Sequence, residues 1–161
     1  MTPDANGAEP PYIPVRAWLQ RLLFAWQSQH PQAELRLDIS PDLDRFGLPP
    51  DLAIERALAN LLDNALQAQA SLIQVRALAR ASTLEIQVAD NGSGIPPATL
   101  EAIQQHQPLI STQGMGVGLL LGRAAVERRG GSLSFLSPAT GGATAHLCLP
   151  LVGLREISDA G

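Results

Sequence analysis

The sequence predicts an α+β domain in two layers, with one mixed β-sheet covered on one face by helices. Three observations predict it. Strand-like runs arrive in close pairs, 71–78 with 83–90 and 132–137 with 142–151, each pair joined by a short turn. That is the pattern of antiparallel hairpins. Before and between these pairs lie segments with apolar residues at helical spacing. The length of 161 residues, with 45% hydrophobic and 16% charged residues, suits a single folded domain with a real core.

The elements follow in order. Residues 1–14 carry several prolines; 1–11 read as a flexible lead-in and 12–152 as the domain. VRAWLQRLLFAWQSQ (15–29) places apolar residues at 15, 18, 19, 22, 23 and 26, which is helical spacing. AELRLDI (33–39) alternates like a strand. SPDLDRFGLPP (40–50) reads as a loop, and a long helix follows at 51–69. SLIQVRAL and TLEIQVAD form a hairpin through the turn ARAS (79–82). DNGSGIPP (90–97) is a glycine and proline loop, and PATLEAIQQH (97–106) is a short helix. QPLISTQGMGVG (107–118) is a second glycine-rich loop. A helix over 116–129 stops at Gly130–Gly131. SLSFLS and GATAHLCLPL make a final hairpin, and 153–161 is expected to fray.

Composition excludes several function classes. A net charge of −4 argues against a nucleic-acid or anionic-membrane surface. No apolar run reaches the ~18 residues of a membrane helix. MTPDANGAEPP does not look like a signal peptide. The single cysteine, Cys148, excludes an internal disulfide and reads as a buried, inert thiol. All 11 basic residues are arginine. A Walker-A loop, a eukaryotic-type protein kinase and Schiff-base chemistry each need a lysine, so all three are excluded.

The segment ALANLLDNALQAQ (57–69) sets two asparagines among leucines and alanines. Asparagine is a mediocre helix former, because its amide competes for backbone hydrogen bonds. On the expected helix, Ile54, Leu58, Leu61, Leu62 and Ala65 form one stripe, with Arg56, Asn60, Asn64 and Gln67 on the opposite side. The plain reading is a solvated face. The chemical reading is two carbonyl oxygens one turn apart, suited to a hard cation such as Mg²⁺ that keeps water and phosphate oxygens in its shell.

Two further pieces accompany it. In DNGSGIP, Asp90 ends a strand, and Gly92 and Gly94 permit close backbone approach. The segment is either a plain turn or a carboxylate placed to accept from an amino-heterocycle such as adenine. In GMGVGLLLGRAAVERRGG, Gly114, Gly116 and Gly118 open a helix. Bare helix N-termini bind phosphate through free N–H groups and the helix dipole. The segment does not follow the strand–turn–helix order of a dinucleotide fingerprint.

N-L-L-D-N-A, D-N-G-S-G-I-P and G-M-G-V-G-L, in this order, resemble the N, G1 and G2 boxes of the Bergerat-fold ATPases. The resemblance covers about residues 12–150. It implies an α/β sandwich holding ATP·Mg²⁺ between its helix layer and a lid, here about 95–113. It implies Asn64 as metal ligand and Asn60 as its helper. It implies nucleotide contacts from Asp90, Gly92, Gly94, Ile95, Gly114, Met115, Gly116, Val117, Gly118 and Leu119. Hydrolysing members carry a glutamate where this chain has Asn60, and a neutral amide is no general base. Asn60 therefore implies the sensor histidine kinase branch, in which a histidine accepts the phosphate.

That resemblance further implies a bacterial two-component system, with two partners outside this chain: a histidine-bearing dimerisation domain and a response regulator. It implies a cytoplasmic domain of a membrane-bound kinase, itself touching neither membrane nor nucleic acid. His30, His106 and His146 do not lie in an acceptor context. The chain departs from the family pattern at Gln67 and Gln113, where basic residues are common, and the lid holds no lysine or arginine. Modest ATP affinity is therefore expected. The competing readings are an anti-sigma-like serine kinase or switch module, and a degenerate nucleotide-binding sensor.

Overall fold

The computed structural model describes residues 12–105, 115–138 and 141–153. In chain order the elements are β1 (Ile13–Pro14), α1 (Val15–Gln29), β2 (Glu34–Ile39), a 3₁₀ turn (Pro41–Arg45), β3 (Phe46–Leu48), α2 (Leu52–Gln67), β4 (Leu72–Arg80), β5 (Thr83–Asp90), α3 (Pro97–Gln104), α4 (Met115–Arg128), β6 (Ser132–Leu136), β7 (Ala143–Pro150) and β8 (Val152–Gly153).

Strands β2-β4-β5-β7-β6 form one five-stranded sheet. β2 and β4 are parallel, because α2 carries the chain back between them; the other pairs are antiparallel. Alternation decides which face is covered. Leu84, Ile86 and Val88 on β5, with Leu133 and Phe135 on β6, point inward and are buried. They meet Trp18, Leu19, Leu58 and Leu62 from the helices, and the core lies between the two layers. The outer face carries Arg76, Ser134 and His146, all exposed. Cys148 shares this outer face and is partly exposed, so the expected buried thiol is corrected. Leu147 and Leu149 take the inward positions on either side of it.

The helix ends obey local chemistry. Asp51 caps α2, its carboxylate accepting from the Ala53 N–H at 2.9 Å. The Ala70 N–H donates to the Ala65 carbonyl and the Gln69 N–H to the Leu66 carbonyl, which closes α2. Gln69 takes φ +63° there, a position usually given to glycine. α4 ends in the same way at Gly130, φ +81°, as the glycine pair predicted.

The stretch expected as a loop at 40–50 instead holds the 3₁₀ turn and β3. β3 is short, and its partners are distant in sequence: β1 on one side and β8 on the other. This second, three-stranded sheet runs from Ile13 to Gly153. Residues 106–113 of the expected lid, Gly114 and the tail 154–161 lie outside the described residues. Among the described residues, no helix is long and apolar enough to cross a membrane.

Candidate functional site

α2 carries both asparagines, and its apolar stripe is wider than the Ile54, Leu58, Leu61, Leu62 and Ala65 positions expected from the sequence. Ala57 is buried as well, because α4 covers a second side of the helix. The expected placement of Asn64 opposite the stripe is therefore corrected: it lies on the flank. Its Nδ2 atom is buried and has no hydrogen-bond partner. Arg56 and Gln67 remain exposed.

Asn64 opens into a small recess between α2 and the sheet. The recess also receives Asp90, Gly94 and Ile95 from the β5–α3 loop, and Phe135 and Ala145 from the final hairpin. Apolar walls with a few converging polar groups are the usual make-up of a small-molecule site.

The loop after β5 is fastened at both ends. Asn91 is structural: its Oδ1 accepts from the Ser71 and Leu72 N–H groups at 2.9 and 3.0 Å. The Ser93 N–H donates to the Ala68 carbonyl at 2.9 Å, tying the loop to the end of the asparagine helix. A Cβ on Gly92 would stand 2.6 Å from that carbonyl oxygen, so no larger residue fits. On the other side, a Cβ on Gly142 would overlap the Asp90 carbonyl oxygen. The β6–β7 turn thereby closes against Asp90.

Asp90 is half-buried, and its Oδ1 accepts from the Gly92 N–H at 2.8 Å. Burial pushes its pKa above the ordinary 3.8, against the opposing N–H groups of Gly92 and Ala143. A carboxylate with one oxygen held by backbone keeps its other oxygen for a donor on a ligand.

Asn60, one turn before Asn64, does not line this recess. It lines a separate groove between α2 and α4. Two contacts set how those helices pair. Arg129, just beyond the end of α4, bonds Asp51 at the start of α2. A Cβ on Gly122 would lie 3.3 Å from that of Ala57. The helices therefore run antiparallel, and equal rise per residue brings the first turn of α4 level with Asn64. That turn contains Met115, Gly116, Val117 and Gly118, with Leu119 next; Gly114 lies outside the described residues.

Among the described residues, no three His, Cys, Asp or Glu side chains gather as a metal site. His30 stacks on Trp26 with ring centroids 4.3 Å apart, and its Nδ1 lies 2.9 Å from the Trp26 carbonyl. His146 is on the outer sheet face; His106 lies outside the described residues.

Sequence reasoning missed Phe135, Ala143, Thr144 and Ala145 as walls of the recess. The alternation of β6 and β7 marked the inward positions of Phe135, Ala143 and Ala145, but only the sheet order sets them beside Asp90.

Residues 50–153 match the family described as histidine kinase-, DNA gyrase B- and HSP90-like ATPase. The chain is 34% identical over 122 residues to the sensor protein FixL of Bradyrhizobium diazoefficiens, covering 73% of this chain and 24% of that one. It is 31% identical over 140 residues to the adaptive-response sensory kinase SasA of Synechococcus elongatus, covering 83% of this chain and 35% of that one. It thus spans about a quarter to a third of the length of these relatives. The solved ATP-binding domain of PrrB from Mycobacterium tuberculosis shares the fold, with a TM-score of 0.69 at 23% identity, over 89% of this chain and 98% of that one. The chain belongs to the histidine kinase-, DNA gyrase B- and HSP90-like ATPases, as an ATP-binding catalytic domain of the sensor histidine kinase branch.

Proposed function

We propose that this chain binds Mg–ATP in the recess and passes the γ-phosphate to a histidine on a dimerisation domain outside the chain. One observation carries the reading: the buried, unpartnered Asn64 amide and the Asp90 carboxylate open into the same recess. A buried amide without a partner costs free energy that a ligand can recover. Its oxygen and nitrogen exchange places by a simple flip, so the oxygen is available to a cation. The residues present therefore fit a metal held jointly by Asn64 and phosphate oxygens. When bound, Mg²⁺ neutralises charge on the transferring phosphoryl group.

In this reading Asp90 accepts from the adenine amine. Gly92, Gly94 and Ile95 let the base lie close to backbone and apolar surface. The N–H groups from Gly114 to Leu119 hold phosphate at the start of α4. Asn60 orients water or the acceptor and abstracts no proton, since an amide is no base. The acceptor imidazole nitrogen bonds to the γ-phosphorus as the bond to the β-bridging oxygen breaks, and ADP leaves with that electron pair. A response regulator then takes the phosphate, and the domain works on the cytoplasmic side of a bacterial membrane.

Labelled ATP tests the reading. Mixed with the parent's histidine-bearing domain, the chain should yield acid-labile, base-stable phosphohistidine. Phosphate on serine, or on nothing, would replace it with one of the two alternatives.

A further inference from the structure

A second cavity, of about 210 Å³, lies where the three-stranded sheet meets the start of α2 and the residue after α4. It shares no residue with the recess. From its Asp51 to Asn64, α2 rises about 20 Å, so the two sites stand at opposite ends of that helix. Leu48, Ile54 and Leu149, all buried, line the cavity, with Val152 and Tyr12 partly buried beside them. Asp51 and Arg129 are its charged residues. The Asp51 carboxylate is already occupied: Oδ1 accepts from the Ala53 N–H and Oδ2 from Arg129 Nε. The guanidinium is not. Its side chain is 39% exposed, and among the described residues its Nη atoms have no hydrogen-bond partner.

We propose that this cavity binds a small apolar carboxylic acid, with its hydrocarbon body among the aliphatic walls and its carboxylate on the Arg129 Nη groups. The proposal stands apart from the reading of the recess. Three features argue for it. The planar guanidinium end matches a carboxylate with two parallel hydrogen bonds, while Nε keeps its bond to Asp51. A ligand cation meets the opposite situation, because the cavity's carboxylate has both oxygens engaged and its free charge is positive. Size sets the body. An engineered apolar cavity of about 150 Å³ holds benzene, so this one takes a ring or a chain of about six to eight carbons. A sugar or other polyol fits badly, because its hydroxyls would lie unpaired against Leu48, Ile54 and Leu149.

Phenylacetate is the probe, titrated into the full chain without nucleotide and followed in amide NMR spectra. It should shift the Leu48, Ile54 and Val152 amides saturably, with a Kd of about 1 mM or tighter, the range of so small a ligand. 2-Phenylethanol has the same body and no charge, and should bind on the order of tenfold more weakly. Arg129→Gln should bring phenylacetate to the level of the alcohol, and Arg129→Lys should recover part of the loss. Val152→Phe should fill the cavity and weaken acid and alcohol alike. A thermal melt checks that each variant folds, and the comparison of acid with alcohol on the wild type needs no variant. Equal affinity for acid and alcohol would overturn the proposal. So would phenylacetate affinity unchanged in a folded Arg129→Gln chain, or no saturable shift at about 10 mM, tenfold above the expected Kd.

Discussion

Arg129 Nε lies 2.5 Å from Asp51 Oδ2, joining the residue after α4 to the N-cap of α2. Those helices carry the glycine box and the asparagine pair, so this contact sets one against the other. Partial burial raises the Asp51 pKa, but the Arg129 guanidinium and the Ala53 and Ile54 N–H groups outweigh it, and the pKa falls below 3.8. Asp51→Ala removes cap and ion pair and should cost about 1 kcal/mol or more in a urea melt. Asp51→Asn keeps a cap oxygen and should cost less, within the ~0.2–1 kcal/mol of an exposed pair. A depressed carboxylate pKa stabilises above the unfolded value. The wild-type advantage over Asp51→Asn should therefore be complete above about pH 4 and vanish as pH falls through the folded pKa.

Asn64→Ala should abolish Mg²⁺-dependent ATP binding and leave the fold intact. Its Nδ2 makes no bond within the protein, so little internal structure is lost. Calorimetry with and without Mg²⁺ checks it; unchanged affinity in Mg²⁺ would contradict the role.

Asp90 should select adenine over guanine, because a carboxylate accepts from the exocyclic amine and repels a carbonyl. Asp90→Ala should cost about 1.5–3 kcal/mol of ATP binding, the range for a hydrogen bond to a charged group. Its raised pKa makes a second prediction. The folded chain holds the proton longer than the unfolded chain, so the ionised carboxylate costs stability once pH rises past its folded pKa. Asp90→Asn should melt higher than wild type near neutral pH and lose that advantage below about pH 3.8.

Gly142 holds φ +79° with no room for a Cβ beside the Asp90 carbonyl. Gly142→Ala should lose at least the ~1–2 kcal/mol of a left-handed alanine. It should also weaken nucleotide binding, because the turn that walls the recess must retreat. A destabilised variant with wild-type ATP affinity would show that the turn is not part of the site.

Asn60 stands where the family resemblance implies a glutamate in hydrolysing members. The isolated chain should turn ATP over far below ~1 s⁻¹, the lower end of ordinary enzyme turnover. Asn60→Glu should raise hydrolysis by placing a carboxylate near the γ-phosphate. A wild-type rate at or above that value would replace the kinase reading with an ATPase.

The sequence by itself determined every helix and strand whose cause is local. α1 was legible from its 3.6-residue period, the two hairpins from alternation around short turns, and the end of α4 from Gly130. The order of the three motifs was enough to place Asn64, Asp90 and the glycine box in one family. Tertiary structure decided the rest, because it depends on residues far apart in the chain. β3 is only three residues long and exists through partners at Pro14 and Gly153. Asn64 reaches the recess from the flank of α2 because α4 covers Ala57, which no count along a single helix reveals. Phe135 and Ala145 become walls of the recess because β7 pairs with β5. Asn60 falls into a different cavity from Asn64, although the two share a side of α2, because the groove and the recess lie at successive heights along that helix. Periodicity records which way a side chain points from its own element; what it meets there is set by the packing of elements distant in sequence.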